Sequence, residues 1–166
     1  ILEDGSLDMD DDMLERMDVV VASVHGRFGM SEAEQTERIV RALQHPCVNI
    51  LGHPTGRLLG QREAYAVDLH AVIAAAVAND VAIEINAHPA RLDVDDHWAR
   101  VAAHAGAVLA INTDAHAPGE LAMLRHGVMQ ARRGWLTAGD VINAWPWPRL
   151  RSFLAKEPGW RDAVDD

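Results

Sequence analysis

Asp114 and His116 stand two residues apart in the stretch INTDAHAP, where an apolar run ends. Carboxylates and imidazoles are first-choice ligands for zinc and also suit manganese and iron. In extended chain an i, i+2 pair faces one way, so the two side chains can share or bridge ions. Three other apolar runs end in similar chemistry. SVHG puts His25 after the first, LGHPTGR puts His53 after the second, and VAIEIN carries Glu84 and Asn86 in the third. Bridging carboxylates hold metals roughly 3.5–4 Å apart, the arrangement that cleaves phosphate esters. Arg57, Arg62 and Arg91 fall in the adjoining loops, where a guanidinium can grip a phosphate with two hydrogen bonds. His88, in NAHP, is placed to touch a substrate.

Each residue also has a plainer reading. Asp114 alone can cap a turn, a single histidine after a strand can be a satisfied core residue, and each arginine can be an ordinary loop residue. Glu84 can be a buried partner for its neighbours. The convergence of four positions carries the metal reading. His45, His70, His97, His104 and His126 fall in helical segments or at their ends and read as surface residues.

The elements that would position this set recur at intervals of roughly 30 residues, the length of a βα unit. Asp18–Val24, Cys47–Leu51, Val81–Asn86 and Ala107–Asn112 are short and rich in Val and Ile, which predicts strands. Helical patterns fill the gaps. Ser31 and Glu34 form a capping box ahead of Ile39, Val40 and Leu43. Asp68 caps a stripe of Leu69, Val72, Ile73, Ala76 and Val77. Trp98, Val101, Ala102 and Ala105 share a phase that Gly106 ends, and Pro118 starts a further helix. Alternation of this kind predicts parallel strands, with ligands bound beyond their carboxyl ends. An open doubly wound sheet and a closed barrel both fit; in a barrel, the missing units would lie before Ile1. From Trp135 onward the pattern changes to two short helices split by Pro146 and Pro148. Thr137 caps the first, and Leu150, Phe153 and Leu154 face inward from the second. This predicts a C-terminal cap on the main body.

The chain has 166 residues, 49% of them hydrophobic, which suits one domain. The first residues lack a signal-peptide pattern, and no apolar run is long enough to span a membrane. Cys47 is the only cysteine and heads an apolar run. It reads as a buried, inert thiol, and the absence of any internal disulfide suits a reducing cytoplasm. A net charge of −10 argues against a surface that grips DNA unaided. It leaves room for a site that meets phosphates through bound cations.

The stretches ILEDGSLD, DVVVASVH, ILGHPTGRLLGQR, EINAHPARLD, AINTDAH and GVMQARRGWLTAGDVINAWP together resemble the PHP (polymerase and histidinol phosphatase) domain. The closest likeness is to the PHP domain at the C-terminus of bacterial and archaeal family X DNA polymerases, and GHPTGRLL and ARRGWL are its most specific parts. The resemblance implies an α/β fold, a distorted TIM-like (β/α)7 barrel here lacking its first βα units. Residues 1–155 would form this partial PHP domain and 156–166 a tail. It implies His25, His53, Asp114 and His116 as metal ligands, with His53, Asp114 and His116 catalytic. It implies up to three divalent ions in the complete domain, with manganese first and zinc or iron as alternatives. The implied activity is metal-dependent phosphoester hydrolysis, as the 3′–5′ exonuclease and DNA 3′-end-processing module of a polymerase in base excision repair. DNA 3′ ends would be held by a polymerase region outside this chain. A free-standing phosphatase acting on a small phosphomonoester such as histidinol phosphate, and an inactive structural module, are the alternatives. The family's N-terminal His-x-His, a further histidine after it and a glutamate shortly before the position of Ile1 are not in this sequence. His88 stands where the family has asparagine.

Overall fold

The four apolar runs become four parallel strands, β1 (Val21–Ala22), β2 (Ile50–Leu51), β3 (Ala82–Asn86) and β4 (Leu109–Asn112). They lie side by side in chain order, β1-β2-β3-β4. The computed structural model describes residues 1–162. The expected tail, 156–166, is therefore seen only to Asp162, and residues 163–166 lie outside the described residues. β1 and β2 are shorter than their apolar runs. At their start the Asn49 side chain replaces a ladder partner, accepting from the Val20 amide and donating to the Leu154 carbonyl.

Helices occupy the connections. α1 (Asp11–Leu14) is a single turn before β1. α2 (Glu32–Leu43) opens on the reciprocal Ser31–Glu34 capping box. α3 (Leu69–Ala78) opens on Asp68, whose carboxylate accepts from the His70 and Ala71 amides. α4 (Asp96–His104) is capped by Asp95 and ends before Gly106, which takes φ 87°. After β4, a 3₁₀ segment from Pro118 leads into α5 (Leu124–Arg133).

Residues matched in register point to the same face. Ala22, Leu51, Ile83, Ile85, Leu109 and Ile111 share one face and pack against Ile39 and Leu43 of α2, Val72 and Ile73 of α3, Ala99 of α4 and Ala131 of α5. The three connecting helices and α5, which follows β4, thus bury their apolar stripes on one side. A doubly wound sheet would reverse strand order at a switch point and put helices on both sides. The strands are wound in one direction only, the winding of a barrel and equally of one half of a doubly wound sheet.

The second face is covered differently. Trp145, Phe153 and Trp160 cluster with Ile50, Ala82, Val108 and Ala110; Phe153 meets both tryptophans edge-on, and the three ring centroids lie 4.8–5.7 Å apart. Phe153 comes from α6 (Trp147–Leu154). Pro148 does not split this region as expected. It lies in the first turn of α6, where the missing amide costs nothing, and Pro146 is the residue that precedes the helix. The segment between α5 and α6 is built from 3₁₀ turns, with Thr137 and Asp140 as a capping box. Here Asn143 completes the sheet edge: its Oδ1 accepts from the Ile111 amide at 2.7 Å and its Nδ2 donates to the Ile111 carbonyl at 3.1 Å. Cys47 is half-buried rather than buried, because the apolar run sinks into the core only from Val48 onward. Among the described residues, no helix is long and apolar enough to cross a membrane.

Candidate functional site at the carboxyl ends of the strands

The carboxyl end of each strand delivers its polar residue to one region. His25 follows β1 and is exposed, with Nε2 3.1 Å from the Ser23 hydroxyl. His53 follows β2 through Gly52. A side chain at Gly52 would press on Val21 and Ser23 at 3.1 and 3.3 Å, so glycine lets β1 and the His53 loop approach closely. The two imidazoles lie side by side, with ring centroids 5.2 Å apart and planes tilted 50°.

His53 is the buried member of this pair, 5% exposed, and its Nδ1 has no hydrogen-bond partner among the described residues. Burial lowers its pKa from 6.5 to about 4, and the positive charges of Arg91 and His25 add to this against the pull of Asp114. The ring is therefore neutral at physiological pH, with a lone pair to offer. Its backbone is left-handed at φ 29°, as is that of Asp114 at φ 53°. Non-glycine residues take this conformation at a cost, and such residues cluster at functional sites.

Asp114 is held by Arg91, whose Nε donates to Oδ2 at 3.1 Å. His116 is exposed and folded back on the same turn. Its amide donates to Glu120 Oε2 at 2.6 Å, and its Nδ1 lies 2.7 Å from the Asp114 carbonyl oxygen. A carbonyl only accepts, so Nδ1 carries the proton and Nε2 keeps the lone pair. His88 has the opposite tautomer: Nδ1 accepts from the Ala90 amide at 3.1 Å, which leaves the proton on Nε2. His116 therefore presents a lone pair at Nε2 and His88 an N–H.

Beneath these residues lies a buried polar layer on β3 and β4. Glu84, 4% exposed, accepts from the His53 amide at 2.6 Å, from Asn86 Nδ2 at 3.1 Å and from Asn112 Nδ2 at 3.0 Å. Burial raises its carboxyl above the ordinary value, and the three donors pull it back. Asp93, fully buried, accepts from the amides of Thr55 and Gly56. Burial pushes it up to about 6, and these bonds and Arg57 oppose that.

His25, His53, Asp114 and Arg91 are thus drawn together, while His116 meets Asp114 only through the backbone. Arg57 spends its guanidinium on the Arg91 and Leu92 carbonyls and on Asp95. Arg62 donates twice to the Gly56 carbonyl and lies 4.1 Å over the Phe28 ring. Among the described residues, no three His, Cys, Asp or Glu side chains are arranged to hold an ion by themselves. What the chain does bring together is a pair of neighbouring imidazoles, His25 and His53, one of them with a buried nitrogen left without a partner. Sequence reasoning missed Asp93, Asn112 and Glu120. Only Asn112 carried a signal, as a polar residue closing an apolar run like Asn86.

No family model matches the chain. It is 42% identical over 156 residues to the DNA polymerase/3′-5′ exonuclease PolX of Bacillus subtilis (strain 168), covering 94% of this chain and 27% of that protein. It is 27% identical over 150 residues to a probable phosphatase of Thermoanaerobacter sp. (strain X514), covering 85% of this chain and 59% of that one. A probable phosphatase of Serratia proteamaculans (strain 568) is 30% identical over 160 residues, covering 92% and 62%. The chain is homologous to these proteins and spans between about a quarter and three fifths of their lengths. Their names support a phosphoesterase-type function.

Proposed function

We propose that this chain is the metal-dependent phosphoester-hydrolysing module of a family X-type DNA polymerase/3′-5′ exonuclease, built on the PHP barrel plan and acting at DNA 3′ ends. The observation that carries this reading is the His25–His53 pair, with the buried Nδ1 of His53 unpartnered beside Asp114. The one-directional winding of the four strands is that of the barrel plan.

His25, His53, Asp114 and His116 would hold divalent ions, with manganese first. When bound, such ions lower the pKa of water and neutralise charge on a phosphate. The protein's own contribution is positional. His53 stays neutral and needs no proton removed before it ligates. His116 presents Nε2 because its Nδ1–H is tied to a carbonyl. Arg91 fixes Asp114 through Nε and keeps a buried Nη1 without a partner. His88 offers an Nε2–H as a second donor. Arg57 and Arg62 shape the loops that carry these groups. With a net charge of −10, the chain would rely on bound cations and on a separate DNA-holding region to bring a polyanion to this rim.

The similarity to probable phosphatases favours a second reading, hydrolysis of a small phosphomonoester. One assay separates them. The full chain with Mn²⁺ is offered a 3′-labelled DNA duplex and, separately, an aryl phosphate monoester. The nuclease reading expects release of 3′ nucleotides as the preferred reaction, abolished by His53→Ala with the fold intact by circular dichroism. Preference for the monoester would overturn it in favour of the phosphatase. Full activity in His53→Ala would overturn the site itself.

A further inference from the structure

The loop that carries His53 has an unusual hydrogen-bond inventory. Between residues 53 and 56 there are three backbone amides, because Pro54 has none. All three donate to buried carboxylates. The His53 amide goes to Glu84 at 2.6 Å, the Thr55 amide to Asp93 at 3.0 Å, and the Gly56 amide to the same Asp93 oxygen at 3.0 Å. The carbonyls of this loop are committed too: the Gly56 amide also donates to the His53 carbonyl at 2.9 Å, Tyr65 donates its hydroxyl to the Pro54 carbonyl at 2.6 Å and its amide to the Thr55 carbonyl at 3.1 Å, and Arg62 occupies the Gly56 carbonyl. A run of amides in a turn with positive φ normally makes a concave seat for an outside anion. Here φ is 29° at His53 and 63° at Gly56, and the seat is filled by the protein's own carboxylates.

Glu84 sits in the middle of a parallel strand on the face where its neighbours Ala82 and Ala110 are apolar. Burying a carboxylate there is costly unless it is fully satisfied. Every partner of Glu84 is a donor, from three different parts of the chain: the His53 loop, β3 and β4. The carboxylate therefore acts as a pin through three elements, and the left-handed backbone of His53 is what it pins.

We propose that Glu84 is a positioning residue, assisted by Asp93, that holds the His53 backbone in its left-handed turn so that the imidazole stays beside His25 with Nδ1 free. The proposal rests on the metal-site reading for its consequence, ligand orientation, while its structural content concerns His53 alone. The requirement is for reach, not for charge. A carboxylate shortened by one methylene falls about 1.5 Å short of the His53 amide. A carboxamide of full length keeps one oxygen on the His53 and Asn86 donors, and a flip of the Asn112 amide accommodates the new NH₂.

The test compares Glu84→Asp with Glu84→Gln in the full chain. Imidazole ¹⁵N resonances of His53 are recorded without metal, and Mn²⁺ affinity is measured by titration calorimetry. Glu84→Gln is expected to keep the wild-type His53 resonances and to bind Mn²⁺ within about threefold of wild type. Glu84→Asp is expected to shift or broaden those resonances and to lose roughly 10–100-fold in affinity, the usual cost of removing a group that orients a ligand. Equal loss in both variants would overturn the proposal in favour of a charge role, and no change in Glu84→Asp would overturn it outright. If the wild-type chain takes up no Mn²⁺, the functional reading fails, and the His53 resonances still decide the positioning claim.

Discussion

Two halves of one sheet face are made from opposite materials. At the amino ends of the strands, Ile50, Ala82, Val108 and Ala110 lie under Trp145, Phe153 and Trp160. Further along the same face of β3 and β4, buried Glu84 and Asn86 and half-buried Asn112 form a polar layer under His53. The change from apolar to polar takes one alternation along a strand, from Ala82 to Glu84 and from Ala110 to Asn112. The lower half gains stability from area removed from water. The upper half accepts the cost of buried polar groups and offsets it with hydrogen bonds aimed at a loop. The contrast teaches where on this sheet stability is made and where it is given up for geometry.

That contrast can be broken in three ways. The largest effect is expected at the apolar end. Phe153 is fully buried among two tryptophans, so Phe153→Ala should cost about 3–5 kcal/mol of unfolding free energy. The hydrolysis rate per folded molecule should stay unchanged in urea-unfolding and kinetic measurements. A specific loss of rate with normal stability would show that the two halves are not separable.

A smaller effect concerns pH at the polar end. Asp93 is raised from 3.8 to about 6 by burial. Between these values the native state holds a proton that the unfolded chain has released. Stability therefore falls as pH rises from about 4 through 6, by up to about 3 kcal/mol, and levels off above. Neutral Asp93→Asn lacks this component. The stability difference between the variant and wild type should grow in the variant's favour across that window in paired unfolding curves. His53, lowered to about 4, contributes with the opposite sign between pH 6.5 and 4, and the pairwise subtraction removes it. A flat difference would mean that Asp93 stays ionised throughout.

The smallest effect is expected at the sheet edge. Asn143→Ala should cost about 1 kcal/mol, since its amide is exposed and water can replace part of its pairing with Ile111. Thermal unfolding would show it.

Local signals made the fold largely readable. The Ser31–Glu34 box, Asp68 and Gly106 act within a few residues of themselves, and all three stand where the sequence places them. Glu84 and Asn86 were visible because polar side chains in an apolar strand need a reason. Asp93 was not, because RLDVDD looks like a solvated acidic turn and its partners Thr55 and Gly56 are distant in sequence. The choice between one-directional and doubly wound strands was equally hidden, since βα alternation is common to both. The opposed tautomers of His88 and His116 depend on single carbonyl and amide contacts that no spacing rule encodes. Arg57 and Arg62 looked free to meet a phosphate because nothing in the chain announces which loop carbonyls will claim a guanidinium.

The Asn143 amide imitates a peptide unit beside Ile111, offering one acceptor and one donor with the spacing of a neighbouring strand. Together with the Leu109–Val141 backbone bridge, this side chain occupies hydrogen-bonding groups on the β4 margin that would otherwise be open to another strand.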